Sequence, residues 1–163
     1  MLNGNLYVTE CLGLSGGYSD RVLERISRIA RDHKINTIIV EQNFGGGMFS
    51  ELLKPFLMRF HPCELKDVRN TKTKELRIID TLEPVMNSHR LIIDRKVIEK
   101  DFRSNSNEPP ERRLKLQLVY QLSRISRHRG SLVHDDLVDS LAGAVAYWTE
   151  YMAQDEDKNI RSR

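Results

Sequence analysis

Between an amphipathic segment and a run of glycines, residues 35–40 hold Ile35, Ile38, Ile39 and Val40, a short apolar and β-branched stretch closed by Glu41. A run this short is too brief for a core helix, and it matches a strand buried on both faces. The segment before it places Val22, Leu23, Ile26, Ile29 and Ala30 on one face at helical spacing. Ser19 stands at its start as an N-cap, with Asp20 in the first turn. After the strand, Gly45, Gly46 and Gly47 give backbone freedom. A helix is then expected over residues 48–60, with a kink or break at Pro55. A buried strand set between helices commits the chain to an α/β or α+β architecture, a sheet covered by helices.

The remaining segments fit that class. Residues 6–14 alternate loosely and read as a strand, broken by Ser15, Gly16 and Gly17. Residues 63–68 and 90–93 read as further strands, and residues 73–86 and 96–102 as helices, the first carrying Leu76, Ile79 and Leu82. Residues 104–110 form a polar loop ending in prolines, the least ordered internal stretch by composition. Residues 114–125 fit both an alternating and a helical period. The final element is a helix with an apolar stripe of Leu137, Leu141, Ala144, Val145, Trp148 and Met152. Residues 1–153 read as one domain and residues 154–163 as a charged, disordered tail.

Composition narrows the functional classes. The 163 residues suffice for one domain with its own core. No apolar run is long enough to span a membrane and the N-terminus carries no signal-peptide pattern, so a cytoplasmic protein is expected. Cys11 and Cys63 are too few for a disulfide framework or a zinc site and read as reduced thiols. No GxxxxGK[ST], GxSxG, CxxC or HExxH pattern is present. The net charge of +3 is uneven: residues 111–130 carry Arg112, Arg113, Lys115, Arg124, Arg127 and Arg129 against Glu111. Such a face suits an anionic partner such as nucleic acid, and it equally fits an ordinary solvated surface.

Two acidic groups could carry chemistry. Glu41 sits where an otherwise apolar strand leaves the sheet, the usual location of functional groups in open α/β sheets, although many strands simply end in a polar residue. His134, Asp135, Asp136 and Asp139 cluster at the start of the last helix. Aspartates there serve as caps and answer the helix dipole. Three of them with a histidine exceed what capping needs, and the spacing of Asp136 and Asp139 puts both on a face away from the apolar stripe. Hydrolysis of a phosphodiester with magnesium calls for a few such hard oxygen ligands.

Taken together, these stretches resemble a known family. Ser15-Gly16-Gly17-Tyr18-Ser19-Asp20, the run Ile38-Ile39-Val40-Glu41-Gln42-Asn43-Phe44-Gly45-Gly46-Gly47-Met48-Phe49, Tyr120-Gln121-Leu122, and Arg129-Gly130-Ser131-Leu132-Val133-His134-Asp135-Asp136-Leu137-Val138-Asp139-Ser140-Leu141-Ala142 are similar to the large terminase subunit of tailed bacteriophages. The short-tailed type, also called DNA maturase B, is the nearest in pattern. The resemblance spans roughly residues 5–151 and concerns the C-terminal nuclease half of that subunit. It implies a ribonuclease-H-like fold, a mixed sheet flanked by helices with acids clustered at one edge. It also implies cutting of concatemeric double-stranded DNA for packaging in the bacterial host cytoplasm, with a small terminase subunit and a portal protein as partners.

By that resemblance Glu41 matches the second-strand acid, and Asp135 or Asp136 the final acid at the start of the last helix; these would hold Mg2+ or Mn2+. Asp139 and His134 are accessory candidates. Lys72, Lys74, Arg77, Arg112, Arg113, Arg124, Arg127 and Arg129 would contact the DNA backbone. The family's first catalytic aspartate, on a strand preceding the equivalent of Leu6, and the ATPase motor are expected to lie before Met1, and without that ligand metal affinity would weaken and efficient cleavage would be lost. The alternatives are a non-catalytic DNA-binding or motor-docking module of the same fold, and another ribonuclease-H-like enzyme such as a junction resolvase.

Overall fold

A computed structural model describes residues 4–42 and 47–161, with side chains described through residue 153. The chain divides into two compact units, Leu14–Thr71 and a second made of Met1–Gly13 with Lys72–Arg163. Gly45 and Gly46 of the glycine run lie outside the described residues.

The Leu14–Thr71 unit contains α1 (Asp20–Asp32), β2 (Thr37–Glu41), α2 (Met48–Phe60) and β3 (Glu64–Val68), numbering as β1 the strand Leu6–Val8 of the other unit. β2 and β3 pair in parallel from Thr37 opposite Glu64 to Glu41 opposite Val68. Parallel neighbours require a crossover, and α2 supplies it. Leu23 and Ala30 of α1 meet Leu53 and Leu57 of α2 in a core that Ile26, Ile35, Ile38, Phe49, Phe56, Cys63 and Leu65 border. Burying a leucine as completely as Leu53 contributes about 1.5–3 kcal/mol.

Several details depart from expectation. β2 is half-buried along its length rather than covered on both faces, and its described ladder has a single partner strand. Ser19 occupies the N-cap position of α1, yet its hydroxyl makes no capping bond; its backbone carbonyl accepts from Val22 and Leu23 instead. α2 runs unbroken through Pro55, held on either side of the proline by buried Leu53 and Leu57. Gly47, just before α2, has φ of +91°, a left-handed value that only glycine adopts without strain. The helix end is tied back where His61 Nε2 donates to the Ile35 carbonyl at 2.8 Å.

In the other unit, β1 (Leu6–Val8) pairs in parallel with β4 (Leu91–Ile93). Around this ladder lie α3 (Lys74–Asn87), α4 (Arg95–Ser104), α5 (Pro110–Arg113), a 3-10 turn (Leu114–Leu116), α6 (Leu118–Arg124) and α7 (Asp136–Arg161). The core joins Leu6, Ile78, Leu82, Val85, Leu118, Leu137, Val138, Leu141, Ala142 and Val145. The ambiguous residues 114–125 are therefore helical. β1 is shorter than the alternation suggested, and α7 stays helical to Arg161, through most of the charged C-terminal segment.

The apolar faces are rotated from the expected ones. α3 buries Glu75, Ile78, Leu82 and Val85, while Leu76 is exposed. α7 buries Val138 and Ala142 rather than Ala144 and Trp148, the latter 39% exposed. Loop 104–110 is more ordered than its composition suggested: Arg113 donates to the carbonyls of Ser106 at 2.7 Å and Glu108 at 3.1 Å. Cys11 and Cys63 are free and half-buried. Burial, helped by Asp101 and Glu10, pushes the Cys11 thiol up to about 11. Among the described residues no helix is long and apolar enough to cross a membrane.

Candidate functional site

In the Leu14–Thr71 unit, Glu41 is the last residue of β2, and the ladder continues past it through the Gln42 N–H to the Val68 carbonyl at 2.8 Å. Successive side chains alternate faces along a strand. Val40 pairs with Asp67, whose carboxylate accepts from Ser50 of α2, so Glu41 belongs to the face opposite α2. Its Oε1 accepts from Asn70 Nδ2 at 2.8 Å. The strand end thus presents a half-buried carboxylate steadied by an amide from the segment following β3.

The other acids gather where α7 begins. Asp135 immediately precedes the helix, and its carbonyl accepts from the Asp139 N–H at 2.9 Å. Its carboxylate accepts from Lys74 Nζ at 2.8 Å. Asp139, buried, takes Arg77 Nη2 at 2.6 Å and Lys74 Nζ at 3.1 Å. Lys74 and Arg77 are three residues apart on α3 and so face α7 together. Burial alone would pull the Lys74 ammonium down, but the hydrogen bonds from Asp135 and Asp139 outweigh it, and its pKa rises. The lysine is therefore a permanent cation under ordinary conditions.

Asp136 is exposed and forms no ion pair among the described residues. Asp136 and Asp139 therefore do not share an outward face: the helix is turned so that Asp139 looks toward α3. His134 is half-buried beside them. The approach to the cluster is anchored by Glu75, a buried carboxylate of α3 that accepts from the Gly130 N–H at 2.6 Å. That bond lowers the Glu75 pKa. Buried Gln121 of α6 bonds to the first turn of α7. Neither Glu75 nor Gln121 was read as a site residue; the signals were the lone acid within an apolar helix face at Glu75 and the place of Gln121 in the Tyr120-Gln121-Leu122 stretch.

The basic residues divide by what they already bind. Lys74 and Arg77 are engaged with Asp135 and Asp139 as above, and Arg113 closes the 104–110 loop. Arg127 lies 3.1 Å from Asp80 and 3.4 Å from Glu83, and Arg112 lies 3.5 Å from Glu108. Arg124 stacks over Tyr120 with its guanidinium 6.0 Å from the ring centroid. Lys72 and Arg129 are exposed and make no ion pair among the described residues. Among those residues, too, no three or more His, Cys, Asp or Glu side chains gather closely enough to cage a metal.

Comparison with known proteins accords with the fold expected from the sequence, small sheets flanked by helices in an α/β (α+β) chain. The chain is 38% identical over 157 residues to the terminase large subunit of Enterobacteria phage T3, covering 96% of this chain and 27% of that protein. It thus spans about a quarter of that relative's length. Residues 1–91 match the family described as the ribonuclease-H-like domain of the bacteriophage T7 terminase. On that match, which covers more than half of its length, the chain belongs to the terminase ribonuclease-H-like domain family.

Proposed function

We propose that this chain is the nuclease module of a phage terminase large subunit, a divalent-metal-dependent endonuclease that cuts concatemeric double-stranded DNA during packaging. Its setting would be the bacterial host cytoplasm, with a small terminase subunit and a portal protein as partners. The observation that carries the reading is the acidic start of α7, Asp135, Asp136 and Asp139, ordered by Lys74 and Arg77 in a chain of this family. Capping alone would not call for two cations held by a second helix.

Glu41 in the Leu14–Thr71 unit, and Asp135 and Asp136 in the other, are each proposed as carboxylates able to bind Mg2+ or Mn2+. Their donor atoms fit: they are hard, anionic oxygens. What such an ion supplies is Lewis-acid activation of water and relief of charge at a phosphodiester. The protein's own part is to aim the carboxylates. Asn70 fixes Glu41, and Lys74 keeps the Asp135 and Asp139 charges from repelling each other in a half-buried setting. Lys72 and Arg124, which pair with no acid among the described residues, and exposed Arg129, whose charge also acts on Glu75, are the basic groups best placed to meet DNA phosphates. Asp139 acts as the structural member of the cluster and His134 as a neighbour able to orient water.

A second reading is favoured by one observation: among the described residues no metal cage forms, and Asp135 and Asp139 are already neutralised by cations. In that reading the chain is a non-catalytic DNA-binding or motor-docking module of the same fold. Incubation of supercoiled plasmid with the chain in Mg2+, Mn2+ or EDTA separates the two. Slow nicking that needs the metal is the expected result. Salt-sensitive DNA binding that is indifferent to magnesium, with no nicking, would instead establish the docking module.

A further inference from the structure

We infer that Gln121 is a positioning residue for the acidic cluster: it caps α7 from a neighbouring helix and so leaves the Asp135 carboxylate available to a cation. The inference rests on the nuclease reading for its purpose, though not for its geometry. A residue just ahead of a helix, when it is an aspartate, ordinarily turns its own side-chain oxygen onto the N–H two or three positions later. For Asp135 those donors are Leu137 and Val138. Both donate instead to Gln121 Oε1, at 3.2 and 3.1 Å.

The orientation of Gln121 is set from both ends. Its Nε2 donates to the Lys115 carbonyl at 3.3 Å, so exchanging the amide oxygen and nitrogen would set an NH2 against two N–H donors. The side chain is 1% exposed, and water cannot substitute for it. Gln121 rides on α6, whose first residue is held where the Leu118 N–H donates to Asp101 Oδ2 at 2.7 Å. With both donors satisfied from outside, the Asp135 carboxylate turns to Lys74. Acidic residues at a helix start are thereby released from capping, the role that most often explains them.

The test is made on the 163-residue chain by NMR and Mn2+ binding. Asp135→Ala should leave amide-exchange protection at Leu137 and Val138 unchanged, because Gln121 still caps them; loss of that protection overturns the inference. Gln121→Met keeps length but has no comparable acceptor. It should draw the Asp135 carboxylate onto the helix N–H groups, shift its carboxyl resonance, and weaken Mn2+ binding at least severalfold, because the capping carboxylate is withdrawn from the cation. Gln121→Glu, which keeps an acceptor oxygen for the Leu137 and Val138 N–H groups, should restore both readouts. An unchanged Asp135 resonance in folded Gln121→Met overturns the inference. A wild-type chain that binds no Mn2+ overturns the nuclease reading alone, since the exchange and carboxyl readouts still decide the role of Gln121.

Discussion

Arg77 and Asp139 form the most deeply seated ion pair of the acidic helix start, with side chains 13% and 9% exposed. Truncating one partner of a buried pair leaves the other charge without compensation, a loss of about 3–5 kcal/mol. Lys74 would remain on Asp139, so Arg77→Met is expected to cost about 2–3 kcal/mol by urea denaturation, below that range. Two carboxylates in the same unit should respond to pH in opposite senses. The Gly130 N–H depresses Glu75, so its contribution is present above the ordinary carboxylate pKa and lost as pH falls through its lower folded value. Burial raises Asp101 against the opposing Leu118 N–H, so stability declines as pH rises from the ordinary carboxylate pKa through the raised folded value. Asp101→Asn should remove that decline from a pH series of thermal midpoints; a decline of the same size in the variant would reject the assignment. Of this residue-level network, the acids were visible in the sequence and their partners were not. Lys74 and Arg77 are remote in sequence from Asp135 and Asp139, and a cation's formal charge does not say whether it meets a phosphate or a carboxylate.

At the scale of elements, α2 carries its own experiment. Pro55 is exposed and removes the N–H that would bond to the Glu51 carbonyl. Proline in a helix interior costs about 3 kcal/mol, offset in part because it also restricts the unfolded chain. Pro55→Ala is therefore expected to stabilise the fold by about 1–3 kcal/mol in equilibrium unfolding, and a destabilised variant would contradict this account of the helix. Most elements were legible because their period and breakers are local: α1, β2 and α7 follow directly from spacing. The rotation of α3 and α7 was not, because a helix with apolar residues on more than one side has its buried face chosen by its neighbours. Glu75 is inside because Gly130 satisfies it, and Trp148 is outside while Val138 and Ala142 take the core positions with Ile78, Leu82 and Leu118.

At the scale of the molecule, the proposal concerns DNA. The cations that pair internally should matter for folding, and those without acidic partners should matter for binding. Arg129→Ala is expected to lower DNA affinity and to reduce the salt slope by about one phosphate contact, with only a small fall in thermal midpoint from the loss of its charge near Glu75. An unchanged salt slope would remove Arg129 from the interface. The family was readable from the joint pattern of Glu41 with its following glycines and the acidic start of α7, because each piece alone has an ordinary structural explanation. The chemistry rests on whether those carboxylates are used. The most direct measurement is metal-dependent nicking of supercoiled plasmid by the wild-type chain beside Glu41→Gln and Asp136→Asn, each first shown to be folded. The account predicts nicking that requires Mg2+ or Mn2+ and falls by at least about a hundredfold in both variants, the scale on which groups acting directly in catalysis are felt. Cutting that survives either substitution at the wild-type rate, or that proceeds in EDTA, would contradict it.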